Sequence, residues 1–357
     1  MEDDTKETLR NGGVGVKVGF IGCGGMGITH YQSLKVLSAK TDLEVTALAD
    51  SRQEALGRAS ELFPNAKKYE NGMELIEKEV LDVVYICLPS YLHAGHAVAA
   101  MEKGCDVFVE KPVCLSCEEA DQLLEVQKRT GRKVMVGQVV RFMDEYQYLK
   151  TVYDSGELGA LKSIVMQRVS GDVQWGYKDW FHNEKYSGSV VLDLHIHDAD
   201  FLRYLLGEPD SFTVHATSFA SEMVNQIVTD YQFGKLFATA EGVWDVSPAL
   251  KFEASFRAHF EKGTIIFKGK GDPKLAVYRE DGTVEIPDLA SREEDEEETA
   301  GIRISSLGAY YTENKYFIEC LQKGEEIKMA PLEEGIKSVK LALKEWEAAK
   351  AYLAENQ

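Results

Sequence analysis

The chain has 357 residues, of which 44% are hydrophobic and 28% charged, a balance typical of a folded globular protein large enough for two domains. Forty lysines and arginines stand against 59 aspartates and glutamates, and the formal net charge of −19 argues against nucleic acid or an anionic membrane surface as the main partner. No apolar run is long enough for a membrane helix, and residues 1–15 lack the apolar segment of a signal peptide. We therefore expect a cytoplasmic protein with a loosely held leader over residues 1–15.

The first strand pattern, residues 18–21, ends in the turn Gly22-Cys23-Gly24-Gly25-Met26-Gly27, and a helical pattern begins near Met26. This G-x-G-x-x-G spacing lets the backbone approach a pyrophosphate, while the N-terminus of the helix offers it N–H groups and a positive dipole end. A glycine-rich turn in a nucleotide-free α/β domain is the alternative. The flanking strand and helix favour a dinucleotide site that uses Gly22, Gly24, Gly25, Met26 and Gly27.

A second strand pattern, residues 43–49, ends in Asp50, where a carboxylate would accept a hydrogen bond from a ribose 2′-OH and repel a 2′-phosphate. NAD is therefore the expected cofactor. Ser51 and Arg52 follow directly, and Arg52 could turn toward a 2′-phosphate or stack on the adenine. NADP thus remains a possible cofactor.

Strand and helix patterns continue to alternate up to Gln138. A strand at residues 82–88 stops at Pro89, and helical spacing follows over residues 92–101. The next strand, residues 106–109, runs into Glu110-Lys111-Pro112, and a helix at 116–130 and a strand at 133–136 complete the pattern. This order predicts a doubly wound parallel sheet of the Rossmann type over residues 16–138. Its ligand crevice lies at the carboxyl ends of the strands.

Residues 139–357 form the second predicted domain. Helices are expected at 144–153 and 196–206, with a strand at 161–169 and an aromatic stretch at 175–186 between them. The aromatic residues of this stretch could stack on a sugar ring or pack over the domain junction: Trp175, Tyr177, Trp180 and Phe181. Period-two alternation over residues 211–285 predicts a meander of antiparallel strands, hence an α+β domain with a large, mostly antiparallel open sheet. The acidic stretch 292–299 is interpreted as a solvated loop, and two helices close the chain at 308–323 and 332–354.

Two groups of residues allow a redox or metal interpretation. Cys114 and Cys117 form a C-x-x-C pair, but the sequence has no second pair that would complete a zinc site, so a structural role is favoured. His195, His197, Asp198 and Asp200 do not share one helical face, and no metal is expected there.

Lys111 and the segment Asp193-Leu194-His195-Ile196-His197 carry the catalytic candidates. Lys111 follows a strand end, where its ammonium could polarise a substrate oxygen. Asp193 and His197 are four residues apart at the start of a predicted helix and could face the cleft together. His197 would then accept a proton while Asp193 orients it. The alternative is a core histidine next to an N-cap aspartate.

Four segments together resemble the glucose–fructose oxidoreductase/inositol dehydrogenase/rhizopine catabolism (Gfo/Idh/MocA) family: GFIGCGGMG, LPSYLHAGHAVAAMEKG, VEKP and GSVVLDLHIHDAD. The resemblance implies an active site of Lys111, Asp193 and His197. Cofactor contacts are implied at the glycine turn, Asp50, Ser51, Arg52, Leu88, Pro89, Ser90, His93, Glu110, Lys111 and Gln138. The substrate contacts implied are Lys111, Arg141, Trp180, Asp193 and His197. His195 departs from the family, which commonly has glycine there, and its orientation toward cleft or sheet is left open.

The resemblance also implies an NAD(P)-dependent oxidoreductase that acts on a secondary hydroxyl of a sugar or cyclic polyol. An enzyme that retains NAD while it cleaves or epimerises a sugar is the alternative. A non-catalytic sensor is disfavoured because such relatives typically lose the lysine that this chain keeps. Relatives commonly pair through the sheet of the second domain, so a homodimer or homotetramer is expected.

Overall fold

The computed structural model describes residues 15–219, 223–289, 298–299, 302–303 and 308–356. Residues 1–14 of the expected leader and 292–297 of the acidic stretch lie outside the described residues, so the structure says nothing of them. In the part that it describes, none of the helices combines the length and apolar character that crossing a membrane requires.

The first sheet has six parallel strands in the order β3-β2-β1-β4-β5-β6, which confirms the doubly wound prediction. The central strand β4 is buried along its whole length because helices cover both faces of the sheet. The elements are β1 Val16–Ile21, α1 Gly25–Ser38, β2 Leu43–Ala49, α2 Gln53–Leu62, β3 Lys67–Tyr69, α3 Gly72–Lys78, β4 Val83–Ile86, the 3₁₀ turn Ser90–Leu92, α4 His93–Glu102, β5 Asp106–Glu110, α5 Cys117–Thr130 and β6 Val134–Gly137.

The second sheet has eight strands in the order β14-β13-β12-β11-β7-β10-β9-β8. Its elements are the 3₁₀ turn Val139–Phe142, α6 Asp144–Ser155, β7 Leu161–Ser170, the 3₁₀ segment Tyr177–His182, α7 Glu184–Ser187, the π-helical turn Val191–His195, α8 Ile196–Leu206, β8 Ser211–Thr217, β9 Gln226–Phe233, β10 Leu236–Trp244, β11 Glu253–Phe260, β12 Gly263–Lys268, β13 Leu275–Arg279 and β14 Val284–Glu285. Two short strands, β15 Glu298–Thr299 and β16 Ile302–Arg303, pair separately.

The mostly antiparallel open sheet is confirmed, with one correction to the simple meander. Strand β7, from earlier in the chain, lies between β10 and β11 and pairs in parallel with β10. The order of strands along the chain therefore breaks in the middle of the sheet. Consequently, the connection after β7 leaves from the interior of the sheet, between β11 and β10.

The last two helices, α9 Gly308–Lys323 and α10 Leu332–Asn356, return to the first domain. Phe317 of α9 packs edge-on to Tyr85 of β4, with ring centroids 5.9 Å apart, and lies 5.8 Å from Phe108 of β5. A Cβ placed on Gly335 of α10 would lie 2.6 Å from Val136 of β6, so this helix lies directly on the sheet. Because α10 also packs against α8 and β8 of the second domain, it joins the two sheets.

Candidate active site

The glycine turn forms a closely packed cradle at the start of α1. Gly22 has φ of 95°, and a Cβ there would lie 2.3 Å from the Cys87 carbonyl oxygen. A Cβ on Gly27 would lie 1.9 Å from the Gly22 carbonyl oxygen, so neither position admits a side chain. Within α1, which is fully described, the first turn carries no acidic residue and no side chain caps its N–H groups. The arrangement suits an anion such as a pyrophosphate.

Asp50 lies at the end of β2 and is held in place from several sides. Its Oδ2 accepts hydrogen bonds from the Cys23 backbone N–H at 2.8 Å and from Arg52 Nη2 at 3.1 Å. Its Oδ1 accepts from the Arg52 backbone N–H at 2.8 Å and from Arg52 Nε at 3.1 Å. Arg52 thus forms a bidentate ion pair with the predicted ribose acceptor, while the neighbouring Ser51 is exposed.

The side chain of Glu110 holds the backbone of Lys111 in place. Its Oε2 accepts the Lys111 N–H at 3.0 Å, and its Oε1 lies 2.6 Å from His30 Nε2 of α1. His30 Nδ1 in turn lies 2.9 Å from Asn314 Nδ2 of α9. Burial opposes ionisation of Glu110, but the His30 hydrogen bond and the nearby charges outweigh it and leave its pKa below the usual value. Glu110 therefore positions Lys111, and its expected cofactor contact stays a prediction.

The side chain of Lys111 crosses from the first domain to the second. Its Nζ donates to the Asp193 carboxylate Oδ1 at 2.9 Å and to the Asp193 carbonyl oxygen at 2.5 Å. Both side chains are mostly buried, so water screens this ion pair only weakly. The structure thereby brings together two predicted catalytic residues that lie 82 positions apart in the chain.

His197 lies in the first turn of α8, directly after the π-helical turn. Burial lowers its pKa well below the ordinary histidine value, and the charges of Lys111 and Arg168 lower it further. Its Nδ1 is buried and has no hydrogen-bond partner among the described residues. The Asp193 carboxylate holds Lys111 in this structure, and the helical turn begins before Asp193, which is therefore not an N-cap. That Asp193 also orients His197 stays a prediction. His197 is therefore a neutral imidazole close to the Lys111 ammonium.

Two acidic residues that follow His197, Asp198 and Asp200, each form a buried ion pair with an arginine. Arg141 donates from Nε and Nη2 to Asp200 at 2.8 and 2.7 Å, and from Nη1 to the Met329 carbonyl oxygen. Arg168 donates from Nη2 and Nε to Asp198 at 2.8 and 3.2 Å. The Arg141 guanidinium is thus buried and engaged by Asp200, and the expected substrate contact of Arg141 stays a prediction.

His195 faces the sheet rather than the cleft, which settles the orientation that the sequence leaves open. It is fully buried, and its Nε2 lies 3.2 Å from both the Tyr231 hydroxyl and Thr229 Oγ1 of β9. A Cβ on Gly242 of β10 would lie 2.8 Å from the His195 Cβ. The glycine in the strand therefore makes room for the histidine on the helix.

The segment after β4 includes His93, whose imidazole contacts two backbone carbonyl groups beside the crevice. His93 is buried, with Nε2 2.6 Å from the Leu88 carbonyl oxygen and Nδ1 2.7 Å from that of Pro112. It ties the end of β4 to the turn after Lys111, and its expected cofactor contact stays a prediction. Pro89 and the buried Ser90 complete this turn beside the glycine cradle.

Gln138 and Trp180 behave differently at the domain junction. Gln138, at the end of β6, is buried, and neither of its amide atoms has a hydrogen-bond partner among the described residues. An amide that the described residues leave unsatisfied suits a polar ligand. Trp180 stacks on Phe181 with ring centroids 3.8 Å apart, and Phe181 packs edge-on to Trp244. Packing therefore accounts for at least one face of the Trp180 ring.

Cys114 and Cys117, the C-x-x-C pair, are not joined by a disulfide bond. Cys114 is buried, and burial raises the pKa of its thiol, whereas Cys117 is exposed at the start of α5. A thiol whose pKa is raised carries little thiolate and reacts slowly. These observations favour the structural interpretation of the pair.

Two residues at the site, His30 and Asn314, were missed at the level of sequence. Both support Glu110. A polar residue on the apolar face of α1 was the available signal for His30, since Leu34 shares its face. For Asn314, only the folded structure shows the contact. Trp175 and Tyr177, expected either to stack on a sugar ring or to pack over the domain junction, lie over the glycine cradle.

Comparison with known proteins agrees with this geometry. Residues 16–138 match the family model described as an oxidoreductase family with an NAD-binding Rossmann fold, and residues 146–285 match that of the GFO/IDH/MocA C-terminal domain. An inositol 2-dehydrogenase of Rhizobium meliloti is 26% identical over 322 residues, 87% of this chain and 90% of that protein. A myo-inositol 2-dehydrogenase of Thermotoga maritima is 30% identical over 193 residues, 54% of this chain. The match thus spans about half of the Thermotoga relative, 55% of its length.

A solved structure shares the whole fold. The structure of levoglucosan dehydrogenase in complex with NADH and levoglucosan superposes with a TM-score of 0.80 and covers 95% of this chain and 98% of its own, at 19% identity. Two family models in the expected order, together with this fold, extend over both domains. The chain belongs to the Gfo/Idh/MocA oxidoreductase family, with its NAD-binding Rossmann domain at residues 16–138.

Proposed function

We propose that the protein is an NAD-dependent dehydrogenase that oxidises a secondary hydroxyl of a cyclic polyol or sugar. The carrying observation is the Lys111–Asp193 ion pair at the end of β5, next to a neutral, half-buried His197. An ammonium beside a neutral imidazole can hold an alcohol oxygen and remove its proton. Names of the relatives, inositol dehydrogenases among them, support this substrate class.

The residues of the crevice fit a dinucleotide. The glycine cradle leaves the N–H groups at the start of α1 for the pyrophosphate, Asp50 lies where the adenosine ribose ends, and the unpaired amide of Gln138 lies at the end of β6. Lys111 and His197 then face the opposite, nicotinamide half. When bound, NAD supplies the carbon that accepts the hydride.

Each of the three polar residues has a distinct part in the proposed mechanism. Lys111 Nζ donates a hydrogen bond to the reacting oxygen and stabilises the negative charge that develops there. Asp193 Oδ1 and its carbonyl oxygen fix the position of that Nζ. The imidazole of His197 accepts the hydroxyl proton as the hydride leaves the carbon that bears this hydroxyl. The secondary alcohol thus becomes a ketone, and His197 carries the proton released from the hydroxyl.

A substrate panel tests the proposal. Inositols, sugars, sugar acids and sugar nucleotides are each incubated with the protein and NAD, and NADH absorbance is followed. We expect NADH formation with at least one cyclic polyol or sugar. Turnover without net NADH would identify the alternative enzyme that retains its cofactor. If no member of the panel gave NADH or a sugar product, both the dehydrogenase and the alternative enzyme would be contradicted.

NAD is expected to be preferred to NADP by about ten- to a hundredfold in kcat/KM. Asp50 and a 2′-phosphate about 4 Å apart would repel by about 4 kcal/mol at an effective dielectric near 20, and Arg52 offsets part of this. Asp50→Ala should raise kcat/KM for NADP, and Arg52→Ala should lower it, because the guanidinium then no longer neutralises the phosphate. A wild-type preference for NADP, or no gain for NADP in Asp50→Ala, would contradict this assignment of the strand end.

We further propose that the protein is a homodimer or homotetramer joined through the outer face of the eight-stranded sheet. Helices cover the inner face, whereas one row of paired residues on the outer face contains Phe237 at 51% exposure and Tyr278 at 45%. Exposed aromatic side chains on one face are typical of a contact between subunits. Phe237→Asp is expected to shift the sedimentation velocity toward the monomer. An unchanged sedimentation profile would argue against this interface.

The compartment that we propose is the cytoplasm. All six cysteines are free in the structure, and reduced thiols are typical of that environment.

A further inference from the structure

A segment of the second domain, residues 171–183, reaches across the crevice onto the glycine cradle. We call it the strap. A Cβ placed on Gly25 would lie 2.9 Å from the ring of Trp175, so that the glycine leaves space for this ring. Gly25 lies in the first turn of α1, where its φ is not in the left-handed region, and glycine is unfavourable inside a helix. Its contact with Trp175 provides a reason for glycine at this position.

A second contact of the strap lies at the adenosine end of the crevice. The Arg52 guanidinium carbon lies 5.1 Å from the centre of the Tyr177 ring, and a Cβ on Gly24 would lie 1.8 Å from Arg52 Nη2. Arg52 is therefore enclosed by Asp50, Gly24 and Tyr177. Residues of both domains meet here, directly above the two glycines that the pyrophosphate approaches.

Both ends of the strap are anchored to the second domain. Next to β7, a Cβ on Gly171 would lie 2.4 Å from the Ser247 carbonyl oxygen. His182 Nε2 lies 2.8 Å from Asp172 and His182 Nδ1 lies 2.5 Å from Asp179, so one imidazole closes the loop on itself. Between these anchors Trp175 and Tyr177 are 61% and 45% exposed. Exposed aromatic rings held over a binding crevice are typical of ligand contacts.

We infer that Trp175 and Tyr177 are cofactor-binding residues of the second domain, which cover the adenosine diphosphate half of NAD and slow its release. The inference rests on the proposed function, since it takes the glycine cradle and Asp50 as the NAD site. In this structure Trp175 and Arg52 lie directly against Gly25 and Gly24, so bound NAD would move both side chains outward. The two rings would then flank the adenosine and its ribose. The nicotinamide half and the substrate lie beyond the strap, near Lys111.

NADH release measures the effect of the strap. The protein loaded with NADH is mixed with excess NAD, and the loss of bound-NADH fluorescence gives the dissociation rate. We expect Trp175→Ala and Tyr177→Ala each to release NADH about tenfold faster, since truncation of an aromatic stacking partner commonly costs about that much. Affinity for ADP should fall by the same factor, while KM for the sugar changes by less than twofold. Tyr177→Phe keeps the ring and should behave like the wild type.

The outcomes separate the inference from the proposed function. Wild-type protein that binds NADH, with both alanine variants releasing it at the wild-type rate, would overturn the strap contacts and leave the dehydrogenase intact. Wild-type protein that binds no NADH would overturn both. If an alanine variant fails to fold, hydrogen exchange of residues 171–183 in the wild type decides the question. NADH and ADP should each slow this exchange, and unchanged exchange contradicts the inference.

Discussion

Lys111→Met is expected to lower turnover by about a hundredfold or more while the affinity for NADH stays near wild type, as for the loss of a positioned acid–base group. Methionine keeps the length and apolar stem of lysine but removes the ammonium that donates to Asp193 and, in the proposed mechanism, to the reacting oxygen. The backbone N–H of residue 111 would still donate to Glu110, so the strand end keeps its shape. Steady-state turnover and NADH titration measure the two effects.

Asp193→Asn serves as the comparison for this change. It weakens the hold on Lys111 Nζ without removing the ammonium, because the Asp193 carbonyl oxygen still accepts a hydrogen bond from it. We expect a smaller loss of turnover than with Lys111→Met. Turnover of Lys111→Met within threefold of the wild type would remove this lysine from the mechanism.

His197→Ala is expected to lower turnover by about a hundredfold, within the range of general-base catalysis, and to abolish the acid limb of the pH profile. The lowered pKa of His197 determines where the acid limb lies. Burial and the charges of Lys111 and Arg168 lower the pKa of His197, so that the imidazole takes up its proton only below the ordinary histidine range. The wild-type acid limb should therefore lie below pH 6.5, the ordinary pKa of histidine.

The matched control is His195→Ala, two residues earlier. His195 is buried against Tyr231 and Thr229 and points away from Lys111, so its removal should cost stability rather than turnover. The melting temperature and the pH profile of kcat distinguish the two variants. If His197→Ala keeps its rate and its acid limb, the base is a different residue.

The sequence was sufficient for features that depend on neighbours along the chain. The glycine turn, the acid after β2 and the lysine after β5 are local patterns, and the edge of a parallel sheet brings the ends of its strands together whatever their distance in sequence. The six-stranded sheet and the start of α1 could therefore be predicted. The same holds for α8, because its apolar face repeats with helical spacing.

Contacts between the domains could not be predicted in this way. Asp193 was expected to face His197 because an α-helix places residues four apart on one face, but the π-helical turn at 191–195 changes that geometry and turns the carboxylate to Lys111. Arg141 pairs with Asp200, 59 positions away, and nothing in either local pattern indicates the other. The aromatic stretch likewise gave no sign that Trp175 would lie against Gly25.

The return of α9 and α10 to the first domain affects how the protein is made. Aromatic rings of β4 and β5 are buried against Phe317, and β6 is covered by α10, so the Rossmann sheet leaves the ribosome before its covering helices have been synthesised. Until then these apolar side chains are exposed, as in a folding intermediate that readily aggregates. The nascent chain must therefore keep its apolar first half from associating with other chains while the second half is translated.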